Sequence, residues 1–535
     1  MNKWRLNLPV ALLLLAVLMV VVVRIRLLTI PLERDEGEFA YAGQLILQGI
    51  PPYQLFYNMK FPGIYAAYAV ILAVFGQTDT GIRLGLLMVN LAGIWLLYRL
   101  ARRFLDVQGS AVAAASYALL SVSPIVLGCE AHATQFVVAA ALAGLLLLLR
   151  GEDSGKPVLF LGSGLLLGVA CLMKQPGALF GLFGFCLLAV QAIQERANWR
   201  IHALRLTLFV TGFWTPLVLS AVILWRTGVF ERFWFWTVVY AREHAAEIPW
   251  ASGLKYLGRF LNTVTLTSDG LFWVAAVLGL VSLLLAKGER RRKFWLAGFL
   301  ACSCVAVALS NYFSSHYFVM LLPALCLLTG QAVSAATQWV RSRNRNKAWA
   351  GLPSGLFILM WLHTVFHHRS TFFVLSPEEV CRKLYGGNPF IECRQIGLYL
   401  RGHSAPDARI AVLGSEPELL FYARRHSGTG YIYMYDLIAP QPFAEAMQRE
   451  MISEVETARP EFLVFVKVPI SWDLKPDFHR TVDTEVMNWM TKFVQDHYEP
   501  AGLTLMKADS EYYWGRAALN RPQFHGPFIS IFQRK

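Results

Sequence analysis

Four carboxylates and a lysine lie in one short stretch, residues 33–62, that separates two strongly apolar segments of the chain. Asp35, Glu36 and Glu38 follow the first long apolar run by a few residues, and Lys60 comes shortly before the next run. Ionisable residues at the boundary of a membrane protein are functional by default. These side chains therefore predict a site for an amphiphilic substrate near the depth of the lipid headgroups.

The composition indicates that lipid surrounds much of the chain. The sequence has 535 residues, of which 56% are hydrophobic and 16% are charged, whereas a soluble domain has about 25% charged residues. The formal net charge is +14, but the basic residues lie mostly in short loops between apolar runs. That pattern is typical of membrane orientation and not of nucleic-acid binding.

Eleven apolar segments are candidates for helices that cross a ~30 Å hydrocarbon core. They are residues 8–30, 82–104, 110–127, 134–149, 158–173, 177–193, 206–225, 271–286, 294–310, 317–338 and 349–367. The segment 63–76 is shorter, and we expect it to lie in the interface or to re-enter. The sequence thus predicts a polytopic α-helical membrane domain at residues 1–369, with a first extracytoplasmic loop at residues 31–81.

The basic residues set the orientation of these segments. If residues 63–76 do not cross, clusters such as Arg99–Arg103 and Lys287–Lys293 all fall on the side of the N-terminus. The positive-inside rule makes that side the cytoplasm. The opposite loops collect carboxylates, histidines and aromatic residues, so we expect the chemistry on the extracytoplasmic face.

Four more polar residues lie in or beside predicted outer loops. Glu130 and His132 occupy the turn between the third and fourth segments, where they either complete a catalytic or metal-binding set or are solvated turn residues. His316 enters the tenth segment and is either a ligand or an interfacial anchor. Lys174 comes just before Pro176, so a helix break alone can explain it.

A soluble domain is predicted from about residue 370 to residue 535, where long apolar runs end. Residues 408–414 and 462–468 have the pattern of buried strands, and residues 442–458 have helical spacing of apolar side chains. Alternation of strands and helices favours a small α/β domain. Cys381 and Cys393 are its only cysteines, and outside the cell they could form a disulfide.

Residues of the first loop resemble a known family. They are Arg34-Asp35-Glu36-Gly37-Glu38, Tyr41, Gly49, Pro52-Tyr53 and Asn58-Met59-Lys60-Phe61-Pro62-Gly63. This set resembles the first extracytoplasmic loop of the GT-C superfamily of membrane glycosyltransferases. The nearest likeness is to the protein O-mannosyltransferase and aminoarabinose transferase (ArnT-like) group.

The resemblance implies an activity, partners and a location. Such enzymes move a sugar from a polyprenyl-phosphate carrier to a lipid, glycan or protein acceptor outside the membrane. For this chain the implied location is a bacterial inner (plasma) membrane, with the N-terminus in the cytoplasm and the C-terminal domain outside. A divalent metal ion is a possible cofactor, and nucleic acid is not an expected partner.

The resemblance also implies roles for individual residues. Asp35 matches the catalytic acidic residue of the group, and Lys60 matches the contact to the carrier phosphate. The further catalytic candidates are Glu36 and Glu38, and the further donor-binding candidates are Arg34, Tyr53, Lys174 and His316.

The implied reaction needs only one carboxylate and one cationic side chain. A phosphate on an anomeric carbon is already a good leaving group, so one carboxylate base and one cation to hold the phosphate suffice. The sequence contains no Walker motif, dinucleotide fingerprint or zinc-finger spacing, which favours a lipid-borne donor over a nucleotide sugar.

Simpler interpretations stay open at this point. Asp35 could cap a helix that starts near Glu38, the other two carboxylates could serve only the helix dipole, and Lys60 could extend to the headgroups. The rival functions are a transporter or flippase for a lipid-linked saccharide, which would place charges near the membrane midplane, and a non-enzymatic envelope assembly protein.

Overall fold

A computed structural model describes residues 8–246, 248–288, 290–343, 347–472, 485–519 and 524–535. The membrane domain is built from sixteen α-helices within these ranges. They are α1 (Leu8–Arg26), α2 (Arg34–Leu47), α3 (Gly63–Phe75), α4 (Asp79–Ala101), α5 (Val107–Leu120), α6 (Ala133–Ser154), α7 (Pro157–Met173), α8 (Ala178–Gln194), α9 (Trp199–Arg226), α10 (Phe230–Trp234), α11 (Ala241–Ala246), α12 (Trp250–Thr265), α13 (Gly270–Leu285), α14 (Arg290–Ala308), α15 (Leu322–Arg343) and α16 (Leu352–His367).

Each of the eleven predicted segments coincides with one of these helices. Within the described ranges, six helices are long and apolar enough to cross a membrane, and a bent pair of helices raises the number to seven if the pair is one span. The chain is therefore an integral membrane protein. The total of eleven spans stays a prediction.

Helices α3 and α12 depart from simple spans. Helix α3 has 13 residues and is packed against protein over much of its surface, in keeping with the expected interfacial or re-entrant position. A Cβ atom at Gly43 would lie 3.0 Å from the backbone nitrogen of Ala69, so glycine allows α2 and α3 to approach closely. Helix α12 has no counterpart among the predicted segments, and it meets α13 at an angle of 101°.

The C-terminal region is an α/β domain, as the sequence predicts. Its elements are α17 (Pro377–Tyr385), α18 (Phe390–His403), β1 (Arg409–Leu413), α19 (Pro417–Ala423), β2 (His426–Ser427), α20 (Tyr435–Ile438), α21 (Ala444–Ala458), β3 (Phe462–Lys467), α22 (Glu485–His497), β4 (Tyr498–Leu505), β5 (Glu511–Trp514) and β6 (Phe528–Arg534). The strand order is β2-β1-β3-β6-β4-β5. Strands β2, β1 and β3 are parallel, and β6, β4 and β5 are joined by antiparallel pairings.

The predicted strands and helix of this domain form its core. Strands β1 and β3 are buried over most of their length, which explains their continuous apolar sequences. Helix α21 buries Met447, Met451 and Val455 along one face, because residues four apart share a side of a helix.

The C-terminal domain packs directly on the first loop. A Cβ atom at Gly37 would lie 2.4 Å from the backbone nitrogen of Glu418, so α2 and α19 touch only because residue 37 is glycine. The backbone N–H of Tyr57 also donates to the carbonyl oxygen of Gly430, at 2.7 Å. The loop that carries the candidate residues is therefore held between the membrane domain and the soluble domain.

The expected disulfide is not formed. Cys381 and Cys393 are both free thiols in buried positions. They lie on different helices, α17 and α18, and burial raises the pKa of the Cys393 thiol well above its ordinary value. The two cysteines behave as small buried side chains, as most structural cysteines do.

Candidate active site

Helix α2 begins at Arg34, because Glu33 caps it. The Glu33 carboxylate accepts from the backbone N–H of Glu36 at 2.9 Å, and the Glu36 carboxylate accepts from the backbone N–H of Glu33 at 3.4 Å. This reciprocal pair is a capping box. Asp35 is therefore not the N-cap of the helix, and its side chain is free for another role.

Lys60 joins two carboxylates of α2. Its Nζ lies 2.9 Å from Oδ1 of Asp35 and 2.5 Å from Oε2 of Glu38. The side chains of Lys60 and Asp35 are 18% and 25% exposed, whereas Glu38 is fully buried. Tyr53 holds the loop by donating from its hydroxyl to the backbone oxygen of Lys60 at 2.6 Å. The structure thus brings Asp35, Glu38, Lys60 and Tyr53 together, and we call the first three the lysine cluster.

Glu38 is held in place from three sides. Its Oε1 accepts from the hydroxyl of Tyr65 at 2.6 Å, and its Oε2 accepts from the Asn58 amide at 3.1 Å and from the hydroxyl of Tyr433 at 2.7 Å. Tyr433 belongs to the C-terminal domain, and no motif in the sequence indicates its presence here. A buried carboxylate with this many donors is well suited to position Lys60.

Charge determines the protonation of the lysine cluster. Burial favours the neutral form of Asp35, but the Lys60 ammonium outweighs burial and holds the pKa of Asp35 well below its ordinary value. Burial raises the pKa of Glu38 despite the same ammonium. Burial lowers the pKa of Lys60, but Asp35 and Glu38 reverse this and the net pKa is raised. Asp35 and Lys60 are therefore both charged at neutral pH.

Glu36 faces away from the lysine cluster. Its two carboxylate oxygens pair with Nη1 and Nη2 of Arg83, and its Oε1 also accepts from the backbone N–H of Ala131. The Glu36 and Arg83 side chains are almost completely buried. Sequence reasoning missed Arg83, although an arginine inside an apolar segment is itself a signal of a specific partner.

Arg34 faces the C-terminal domain. It donates to the backbone oxygen of Ser415 at 2.5 Å, to Glu416 at 3.3 Å and to the side-chain oxygen of Asn388 at 3.3 Å. All three partners belong to the soluble domain. In this structure Arg34 joins the two domains, and the structure does not bring it into the lysine cluster.

Two histidines lie beside Asp35. The rings of His132 and His316 are stacked with centroids 4.2 Å apart and planes at 11°. One nitrogen of each ring and one oxygen of Asp35 lie within 4.8 Å of one another. Burial lowers the pKa of His132 to about 4 and that of His316 well below its ordinary value. Both rings are therefore neutral at neutral pH and can offer a lone pair to a cation.

Glu130 and Lys174 complete the surroundings. Glu130 is fully buried, and among the described residues its carboxylate has no hydrogen-bond donor. Burial raises the pKa of Glu130 to about 8, so it is protonated at neutral pH. The ammonium of Lys174 lies 4.0 Å from the centre of the Tyr317 ring. Lys174 acts on Asp35 through its charge, which helps to lower the pKa of Asp35.

Part of the chain matches a known protein family. The family described as Dolichyl-phosphate-mannose-protein mannosyltransferase matches residues 60–225. No curated protein sequence matches the chain.

Solved structures share the fold. ArnT from Cupriavidus metallidurans bound to undecaprenyl phosphate has 18% identity and a TM-score of 0.56, with 85% of this chain and 93% of that chain covered. Its apo form has 15% identity and a TM-score of 0.55, with 98% and 97% covered. The archaeal oligosaccharyltransferase AglB from Archaeoglobus fulgidus, in complex with an inhibitory peptide and a dolichol-phosphate, has 12% identity and a TM-score of 0.54, with 97% and 75% covered.

The likeness extends over both domains of the chain, because the coverage by ArnT is nearly complete in its apo form. This likeness of fold, together with the family match at residues 60–225, supports the resemblance that the first loop predicts. The chain resembles the GT-C superfamily of membrane glycosyltransferases, within it the protein mannosyltransferase and ArnT-like group.

Proposed function

We propose that the chain is an inverting glycosyltransferase that uses a polyprenyl-phosphate sugar and glycosylates an acceptor on the extracytoplasmic face. The observation that carries the proposal is the contact of Asp35 with Lys60, at 2.9 Å, in a partly exposed site between the two domains. The fold supports it, because one of the matching ArnT structures is bound to undecaprenyl phosphate.

The reaction needs few groups. An acceptor hydroxyl attacks the anomeric carbon, its proton passes to Asp35, and the bond from that carbon to the phosphate oxygen breaks with its electron pair leaving on the phosphate. Lys60 neutralises the charge that develops there. A single displacement from the face opposite the phosphate inverts the anomeric configuration, and no covalent sugar intermediate on the enzyme is required.

The lysine cluster suggests how the base is activated. Without donor, the Lys60 ammonium is shared by Asp35 and Glu38, and an ion-paired carboxylate is a weak base. A donor phosphate competes for Lys60 and draws it away from Asp35. The basicity of Asp35 then rises only when the donor is bound, while Glu38 keeps its three other hydrogen bonds.

The experiment that tests the proposal is Asp35→Asn. The amide has almost the same size but no useful basicity, so sugar transfer should fall by at least ~10²-fold while the variant expresses normally and still binds donor. Asp106→Asn is the matched control: Asp106 caps α5 through the backbone N–H of Gly109, and asparagine caps equally well. Transfer by Asp35→Asn at the parental rate would remove Asp35 from the mechanism.

We further propose that Asp35, His132 and His316 hold a divalent cation. Two neutral imidazoles and one carboxylate are a suitable ligand set for zinc and similar ions. A bound cation would stabilise negative charge on the donor phosphate. Metal content of the purified chain after zinc loading and washing should fall in His316→Ala, relative to the exposed-histidine variant His403→Ala. Equal metal content in both variants would contradict the site.

The proposed orientation has its own test. A reporter fused after Arg343 should be cytoplasmic, and one fused after Ser376 should be extracytoplasmic, because α16 lies between them and the basic loop residues favour the inside. Both reporters on one side of the membrane would contradict the orientation.

A further inference from the structure

A cleft lies within the C-terminal domain, between α17, α18 and the β4–β5 hairpin. Its volume is about 810 Å³, which is within the usual range for small-molecule sites. Its lining includes Arg382, Glu392, Tyr399, Ser510, Tyr512 and Trp514. None of these residues belongs to the lysine cluster.

One buried carboxylate of this cleft needs a further hydrogen-bond donor. Glu392 is fully buried, and its Oε1 accepts from Arg382 at 2.6 Å and from the hydroxyl of Ser510 at 2.5 Å. Its Oε2 is also buried and has no hydrogen-bond partner among the residues that the structure describes. A buried oxygen without a donor costs free energy, so a ligand hydroxyl or amine at this position would stabilise the site.

Aromatic rings form one wall of the cleft. The rings of Tyr399 and Trp514 stack with centroids 4.0 Å apart and planes at 12°, and Tyr512 lies beside Trp514 at 6.1 Å and 21°. All three side chains are partly exposed. The ring of His403 also stacks on Tyr399, with centroids 4.0 Å apart, so Tyr399 lies inside the stack and supports Trp514. We expect the ring of Tyr512 to meet the C–H face of a sugar ring.

The charge of the lining excludes acidic ligands. Glu378, Glu379 and Asp509 are exposed at the rim, and Arg382 is the single basic residue of the lining. Ionised carboxylates accept hydrogen bonds and cannot donate them. Their combined field repels phosphate and carboxylate groups. The ligand must therefore have many donors, apolar ring faces and no negative charge.

We propose that this cleft binds a neutral or amino-bearing saccharide, as a subsite for the glycan part of an acceptor. The cleft is connected to the first loop: Arg382 donates to the backbone oxygen of Asn388 at 3.4 Å, and the side chain of Asn388 accepts from Arg34, the neighbour of Asp35, at 3.3 Å. The role as acceptor subsite rests on the proposed transferase function, whereas saccharide binding itself does not.

Direct binding tests the proposal on the full-length chain. The protein is placed in lipid nanodiscs, since maltoside or glucoside detergents would present sugar to the cleft. Calorimetry then compares a tetramer of N-acetylglucosamine, the deacetylated tetramer and a tetramer of galacturonic acid. We expect binding of one or both of the first two and none of the acidic tetramer.

Two variants and a matched control locate the binding. Tyr512→Ala and Glu392→Gln should each weaken binding by about tenfold or more, which corresponds to ~1.4 kcal/mol. Tyr513→Ala should bind as the parent does, because neighbouring residues of a strand point to opposite faces and Tyr513 packs against Leu503 and Leu505. Saccharide binding that survives Tyr512→Ala would overturn the proposal.

The remaining outcomes are equally decisive. Absence of saccharide binding at millimolar concentration would overturn the proposal, and so would tight binding of oligolysine in place of saccharide, which would identify a basic peptide as the ligand. Asp35→Asn should bind saccharide normally. If the parent chain binds saccharide without transferring sugar, only the transferase proposal fails. If it transfers sugar without binding saccharide, only the proposal for the cleft fails.

Discussion

Asp35 and Glu36 are neighbours on α2, but the two faces of the helix hold them in opposite ways. Asp35 is partly exposed and shares the Lys60 ammonium with Glu38. Glu36 is buried and is bound by both Nη atoms of Arg83. One face therefore has a cation that is shared by two carboxylates and is partly open to solvent, and the other has a buried pair.

Solvent access explains the difference. Both charged groups of a buried ion pair lose their water of hydration. The pair is stable only when hydrogen bonds replace that water. Lys60 and Asp35 are 18% and 25% exposed, so a charged group from outside can reach them and compete for either partner. We therefore infer a structural role for Glu36, although its sequence neighbourhood made it a catalytic candidate, and a functional role for Asp35.

The largest loss of stability is expected for Glu36→Gln, which tests the structural role of Glu36. The substitution leaves Arg83 buried without a counter-charge, which typically costs about 3–5 kcal/mol. Yield of folded protein and the apparent Tm in detergent should both fall sharply. The double variant Glu36→Leu with Arg83→Met should recover much of the loss, because apolar residues of similar volume often replace a buried pair. A single variant as stable as the parent would contradict the structural role.

A smaller effect is expected for Lys60, on donor binding. Lys60→Ala removes the charge that holds the phosphate, so the Kd for a polyprenyl-phosphate donor should rise about 10- to 100-fold, as for loss of a charged hydrogen bond. Lys60→Arg should lose less, because guanidinium also neutralises phosphate. Equal losses in the two variants would show that Lys60 acts by its shape and not by its charge.

A still smaller effect is expected for Tyr433→Phe. The variant loses one hydrogen bond to Glu38, worth about 1 kcal/mol, so Lys60 is less well positioned and kcat should fall several-fold. Tyr41→Phe is the control, since its hydroxyl accepts from the backbone N–H of Ser427 and touches no residue of the lysine cluster. A lower Tm with unchanged kcat in Tyr433→Phe would assign Tyr433 to domain packing alone.

A separate effect is a pH dependence of stability caused by Glu418, which lies where α19 packs on α2. Burial, with a contribution from Glu416, raises the pKa of Glu418 to about 8 from 4.5. The folded chain then holds a proton that the unfolded chain has lost between these values, so stability falls as pH rises from 4.5 to 8.

Apparent Tm between pH 5 and pH 9 measures this dependence. Glu418→Gln should reduce the decline, while Glu130, whose pKa burial also raises to about 8, maintains part of it. Glu416 and Arg34 still face the substituted position. Glu445→Gln is the control, because the Glu445 side chain is 86% exposed. A decline of the same slope in all three proteins would exclude Glu418 as its source.

Much of the architecture can be predicted from the chain alone. Apolar segments such as α1 and α6 must avoid water, and their length is set by the thickness of the hydrocarbon core. Strands β1 and β3 are recognisable because both of their faces are buried. Helix α12 is missing from the predicted set because its residues mix polar and apolar types, and such a pattern does not indicate a span.

The proximity of some candidate residues was predicted, whereas their roles stay predictions. Asp35, Glu38, Lys60 and Tyr53 are brought together as their positions in one short loop suggest. The separation of Glu36 from Glu38 was not predicted, because it depends on the position of Arg83 in space. The prediction of a disulfide was wrong, because the presence of two cysteines in one domain does not determine the distance between their sulfur atoms.

The sequence by itself determined that the chain lies in a membrane and that its C-terminal part is an α/β domain, and it singled out the first loop as the candidate site. Those properties follow from local hydropathy, periodicity and residue type. Only the tertiary structure decided which carboxylate meets Lys60, which meets Arg83, and that Tyr433 reaches the site from the other end of the chain. The electrostatic role of a residue depends on its burial and on its distance from other charges. The tertiary structure sets both quantities.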